Sequence, residues 1–213
     1  MVKMNEITFE IPVGGDEGIY AANVVRIFIM SRVPCFAISR VAYHSIKPEF
    51  LPIHLFPQIA MNLSQVPLNY EFFENHWRRP LRILIQGPGT FTTDDIIVSN
   101  NHLLEAYRRG TNPFPKKCDI IHLSAKQHLT ATLFITKGIA GSLTEDDTHL
   151  AGNKFPPDVT GENQPIYSNI SSARYIPDRD KTTFTFETTG SRTAQNVLDY
   201  AKKHLPSDFF SSI

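Results

Sequence analysis

Residues 16–34 read DEGIYAANVVRIFIMSRVP. Asp16 is suited to cap a helix N-terminus and Glu17 to sit in its first turn, where the helix dipole favours negative charge. Pro34 cannot continue a helix, so the segment predicts a helix from about Glu17 to Arg32. Between Tyr20 and Met30 only Asn23 and Arg26 are polar. A helix lying on one sheet needs a single apolar stripe, and this one has no polar face at all. The surplus requires cover, either as a central core helix or as a helix shared with a partner. Large apolar patches on soluble proteins usually mark interfaces, which favours the shared helix.

Working outward, Glu6–Ile11 alternates, with Ile7, Phe9 and Ile11 on one face, and predicts a half-buried strand ending at Gly14-Gly15. Cys35–Ile46 follows the helix as a second strand, and Leu55–Gln65 predicts a second helix with Pro67 beyond it. From Asn69 to about Pro165 the texture changes. Short strand candidates at Leu81–Gln86, Ile120–Leu123 and Leu129–Thr136 stand between loops rich in Gly, Pro, Asn and Asp. The first texture then returns. Lys181–Thr189 alternates with Phe184 and Phe186 inward, Gly190 turns the chain, and Thr193 caps a helix through Leu205. That helix spaces Ala194, Val197, Leu198, Ala201 and Leu205 along one face and ends on Lys202, Lys203 and His204. The expected class is α+β: a discontinuous domain of a sheet plus two or three helices, over 1–68 and 166–213, interrupted by a β-rich insertion over 69–165.

The chain has 213 residues and a formal net charge of zero, from 21 basic and 21 acidic residues. Paired cations (Arg78-Arg79, Arg108-Arg109, Lys116-Lys117, Lys202-Lys203) are balanced by carboxylates, which argues against broad binding of a nucleic-acid backbone. Cys35 and Cys118 belong to no CxxC pair, so no zinc or iron–sulfur ligand set is expected and both read as reduced thiols. The first residues, MVKMNEITFEIP, lack the apolar core of a signal peptide, and no apolar run is long enough to span a membrane. A soluble intracellular protein is expected.

Catalytic patterns are weak. Gln86-Gly87-Pro88-Gly89-Thr90 lacks the GK[ST] of a phosphate loop. Asp94-Asp95 and Asp146-Asp147 are acidic pairs in loop-like sequence, and none of the eight histidines stands in HxxxH or HExxH spacing. No catalytic residue, metal ligand or cofactor is expected, and binding or scaffolding is the better inference. The alternatives are a small-molecule or metal-dependent enzyme using Asp94, Asp95 or histidines of the β-rich insertion, and a stand-alone interaction module.

Four segments, in order, resemble the alpha-type subunits of multi-subunit RNA polymerases: the bacterial alpha N-terminal domain, its archaeal counterpart and the third-largest subunit of nuclear RNA polymerase II. Asn23, Arg26, Ser31, Val33, Pro34, Ala37 and Ile38 match a helix reading AN-x-L-RR-x-x-x-SE-VP and its following T-x-A-I strand. Ile27 and Arg32 depart from it. Ile59, Ala60, Leu63, Pro67 and Leu68 match a helix ending IAHRLGLIPL, with Met61-Asn62 replacing His-Arg. Thr93-Asp94-Asp95-Ile96 is similar to an S-x-D-L strand start, and Thr136-Lys137-Gly138-Ile139-Ala140 to a KKGIA turn. Phe184–Ser191, with Val197 and Leu198 beyond, resembles the closing strand, E-x-x-GS turn and last helix.

The resemblance implies a non-catalytic assembly subunit of a DNA-directed RNA polymerase, a nucleotidyltransferase complex. Its interrupted domain would form a heterodimer with a smaller alpha-like subunit, and the pair would dock the second-largest and largest subunits. Val24, Val25, Phe28 and Ile29, with Val197, Leu198 and Ala201, would then form the dimer interface, while Asn23 and Arg26 would face the large subunit. No sequence-specific DNA binding and no membrane partner are implied. The missing cysteine cluster, and a chain that stops just after its last helix, suggest a trimmed, virus-encoded member. Its compartment would be nucleus, cytoplasm or virion.

Overall fold

The structure is a computed structural model that describes residues 5–44, 51–74, 80–97, 112–139 and 169–210. These form four helices and antiparallel sheets, an α+β protein. The chain divides into two compact units: described residues 5–35, 139 and 169–210 form the first, and 36–44, 51–74, 80–97 and 112–138 the second.

The first unit is a three-stranded antiparallel sheet covered by two helices. Strand β1, Glu6–Ile11, spans the predicted residues. It pairs along Phe9↔Phe184 and Ile7↔Phe186 with the closing strand Thr182–Thr188, whose other edge carries Ile170–Pro177. Alternation sends Phe9, Ile11, Phe184 and Phe186 to one face, where all are buried and the Phe9 and Phe184 rings lie 5.3 Å apart. The opposite face is polar: Thr8 and Thr185 share a hydrogen bond of 2.9 Å, and Lys181 pairs with Glu10.

Helix α1 spans Gly15–Ser31 and covers the apolar face. It begins earlier than predicted, because Gly14, not Asp16, is the cap. A Cβ on Gly14 would stand 2.2 Å from the Arg179 carbonyl oxygen, and Gly15 has φ +56. Only glycine allows this approach to the 178–179 turn, where Gly15 N–H donates to the Asp178 carbonyl. Asp16 and Glu17 therefore both lie in the first turn. The last helix, Ala194–His204, is capped as expected: the Thr193 side chain accepts from Asn196 N–H.

The second unit holds a four-stranded antiparallel sheet. Strand β2, Cys35–Tyr43, pairs with the long strand His128–Gly138, followed by Leu81–Gln86 and the short Ile96–Ile97. The pairs Leu81↔Leu133, Ile83↔Ala131 and Ile85↔Leu129 place buried residues on one face. A separate ribbon pairs Gly89–Thr92 with Asp119–Leu123. Helix α2, Phe56–Ser64, buries Phe56, Ile59, Ala60 and Leu63, and Asn62 Nδ2 donates to the Ile120 carbonyl at 2.8 Å. Helix α3, Tyr70–Phe73, was not expected. Asn69 caps it, accepting from Phe72 N–H, and Tyr70, Phe72 and Phe73 are buried.

The division falls between Cys35 and Phe36, not after Leu68 as expected. The physical reason is pairing: β2 is hydrogen-bonded beside the Leu129–Thr136 strand, and α2 packs on the Asp119–Leu123 strand. Among the described residues, the chain rejoins the first unit at Asn169. The pairs Arg78-Arg79, Arg108-Arg109 and Asp146-Asp147, the end of the predicted strand at Ile46, and Ala140 of the KKGIA-like turn lie outside the described residues.

Candidate protein-interaction surface

Helix α1 buries Gly18, Ala21, Ala22, Val25 and Ile29, spaced three or four apart, against the sheet. Small residues at three of these five positions let its axis come close. The last helix, here α4, buries Ala194, Val197, Leu198 and Ala201 in the same core. Five of the predicted interface residues are therefore not at a surface. Val25, Ile29, Val197, Leu198 and Ala201 are each 2% exposed or less, because two helices and one sheet already fill that space.

What α1 leaves open is a different line. Tyr20 is 69% exposed, Ile27 58% and Met30 46%, with Val24 half-buried. Tyr20 and Ile27 are seven residues, two turns, apart, and Val24 lies between them on the same line. Phe28 flanks this stripe on one side, stacked on Tyr200 and His204 of α4 with ring centroids 6.2 Å away in both cases. Asn23 and Arg26 flank it on the other. Asn23 Nδ2 donates to Tyr175 Oη at 3.2 Å, on the edge strand Ile170–Pro177, here β8. Arg26 is half-buried and makes no hydrogen bond or ion pair among the described residues.

The C-terminal end of α1 is held by groups that the sequence did not single out. Asn169 Nδ2 donates to the Val33 carbonyl at 2.9 Å and the Pro34 carbonyl at 3.3 Å, and Arg192 Nε donates to the Pro34 carbonyl at 3.1 Å. These donors fix the Val33-Pro34 turn, and with it the helix. Cys35, next in the chain, is buried. Its thiol is pushed up to about 12 by desolvation, with the Arg192 charge pulling the other way. A thiol in that state is a packing group, not a nucleophile.

The acidic pair of the second unit has structural partners. Asp95 Oδ2 accepts from Thr92 N–H at 2.8 Å, completing a capping box over Thr93–Asp95, and Asp94 lies 3.5 Å from the Lys117 ammonium. The Gln86–Thr90 segment joins two strands. Among the described residues, no three His, Cys, Asp or Glu side chains gather as a metal site would require. No described helix is long and apolar enough to cross a membrane.

The described surface thus offers an exposed apolar stripe on a helix that its own fold holds rigidly. The profile of the RNA polymerase Rpb3/Rpb11 dimerisation domain matches residues 12–209. The chain belongs to that family. The match spans both helices and two of the three strands of the first unit, leaving out β1, and it brackets the whole second unit. No curated protein matches the chain in overall sequence. As a family member the chain is an alpha-like RNA polymerase subunit with a role in assembly, and its domain type is a non-catalytic one that implies an alpha-like partner.

Proposed function

We propose that this alpha-like subunit forms a heterodimer with a smaller alpha-like subunit through the open face of α1, and that the pair docks the second-largest and largest polymerase subunits. The observation that carries this is the stripe of Tyr20, Val24 and Ile27, with Met30 at its side. Exposed aliphatic and aromatic side chains at seven-residue spacing suit a second helix laid alongside, which removes them from water. Phe28 extends the surface towards Tyr200 and His204 on α4. Arg26 is the candidate contact to the large subunit: a half-buried guanidinium with no partner among the described residues suits a carboxylate or a row of backbone carbonyls. Asn23 stands on the same flank, its amide already donating to Tyr175.

In this role the chain supplies no reacting group. It positions two larger proteins by presenting a preformed surface. The virus-encoded origin suggested by the sequence belongs to the same proposal. Affinity purification of the tagged full chain from the cells or infected cells that express it tests the assignment. Recovery of a smaller alpha-like subunit with the two largest polymerase subunits is the expected result. Recovery of neither at low salt would overturn it.

A further inference from the structure

At the N-terminal end of the α1 stripe lies a cavity of about 430 Å³, bounded by α1 and the 3₁₀ turn Ser207–Phe209. Val13, Tyr20, Ala21 and Phe209 form its apolar walls, and Asp16, Glu17 and Asp208 stand at its rim. All three carboxylates are exposed. The described ion pairs engage Glu6, Glu10 and Asp94 instead, so among the described residues no cation answers the rim charges. Asp16 and Glu17 offset the α1 dipole, but Asp208 comes from a separate turn. The rim is therefore more negative than the helix terminus alone accounts for.

Tyr20 belongs to both the cavity and the stripe. A partner helix running along the stripe would bring one end of itself to this cavity. Helix C-termini collect lysine, arginine and histidine, because the dipole there is negative. The closing helix of this chain does so itself, ending Lys202-Lys203-His204 before Leu205. We infer that the cavity takes the basic C-terminal turn of a helix from the alpha-like partner: one bulky apolar side chain enters between Val13 and Phe209, and its lysines or arginines meet Asp16, Glu17 and Asp208. This rests on pairing through the α1 stripe and adds the element that sets partner and register. The stripe supplies non-directional apolar contact, whereas the acidic rim accepts a basic helix end and repels an acidic one.

The test uses the full chain in complex with its co-purified small alpha-like partner, with Kd measured at about 50 mM and about 500 mM salt. Neutral, nearly isosteric replacements at three exposed sites, Asp16→Asn, Glu17→Gln and Asp208→Asn together, leave the fold intact, which an unchanged circular dichroism spectrum verifies, with a slightly lower melting temperature because Asp16 and Glu17 no longer offset the α1 dipole. The triple variant is expected to bind about tenfold more weakly at low salt, as three partly exposed ion pairs warrant. It should match the unsubstituted chain at high salt. Unchanged affinity at low salt, or an undiminished salt dependence, would overturn the inference. Ile27→Asp, run in parallel, separates the two levels. If Ile27→Asp still pairs, dimerisation through the stripe is wrong and the cavity assignment goes with it. If it abolishes pairing while the triple variant behaves as wild type, only the cavity assignment is lost.

Discussion

Asn23 donates from Nδ2 to Tyr175 Oη at 3.2 Å, tying the first helix to the edge strand β8, while Arg26 three residues further on has no partner among the described residues. The sequence set the two side by side as one docking pair. The structure separates them: Asn23 helps to hold the helix, whereas the Arg26 guanidinium is half-buried and unengaged among the described residues.

Removing the Asn23–Tyr175 contact is therefore a stability experiment. Tyr175→Phe should cost about 0.5–1.5 kcal/mol in chemical denaturation, the usual net worth of a partly buried hydrogen bond. Asn23→Ala should cost a similar amount, and the double variant little more than either alone. Additive losses would mean that the two side chains do not act through each other.

Arg26→Ala should leave both the fold and the small-partner dimer unchanged. Docking of the large subunit should weaken by about 2–5 kcal/mol, the typical loss when one side of a charge-assisted interface contact is deleted. Reconstitution with the purified large subunit measures this, and unchanged docking would mark Arg26 as an ordinary surface cation.

Aspartate substitutions along α1 should divide sharply by position. At Ile27, 58% exposed, an aspartate leaves the circular dichroism spectrum intact and abolishes pairing. At Val25, 0% exposed, it buries a charge without a partner, costs at least about 3 kcal/mol and disrupts the first unit itself. Gel filtration and circular dichroism on both variants distinguish surface loss from misfolding. Folded Val25→Asp protein would contradict the core position of that side chain.

The two thiols should differ in reactivity. Desolvation and the Asp119 charge raise the Cys118 thiol, with Lys116 opposing, but Cys118 is partly exposed, so a thiol reagent at about pH 8 should still label it slowly in the native state. Cys35, raised to about 12, should react only after denaturation. The linkage has a definite sign. The folded state keeps the Cys35 proton that the unfolded chain releases above the ordinary value of 9.0, so its contribution is complete below that pH. It then declines between about pH 9 and 12, by at most about 1.4 kcal/mol per pH unit. A Cys35→Ala variant should show a shallower alkaline loss of stability than the parent chain.

Periodicity was enough for β1 and the capped last helix, and the loop residues around it marked the Leu81–Gln86 strand. In β1 and the last helix a two- or 3.6-residue alternation of apolar residues coincides with burial on one side. The excess of apolar residues in α1 was equally plain, and with it the need for a partner. The sequence could not say which of those residues were the excess. Val25 and Ile29 are as apolar as Ile27 and Met30, and only the packing of α1 between sheet and α4 separates the covered from the open. β8 escaped notice because an edge strand reading ISSARYIP buries almost nothing and so carries no alternation. The boundary at Cys35 escaped for a related reason. β2 and α2 are locally ordinary; β2 is claimed by its pairing with the His128–Gly138 strand, about ninety residues on, and α2 by its packing on the Asp119–Leu123 strand, about sixty residues on. Local alternation, turn residues and caps were fixed by neighbours a few positions apart, where the chain itself enforces proximity. The open stripe, the Asn169 and Arg192 donors on the Val33-Pro34 turn and the acid-rimmed cavity all join residues from distant segments, and only the folded packing of the first unit brings those together.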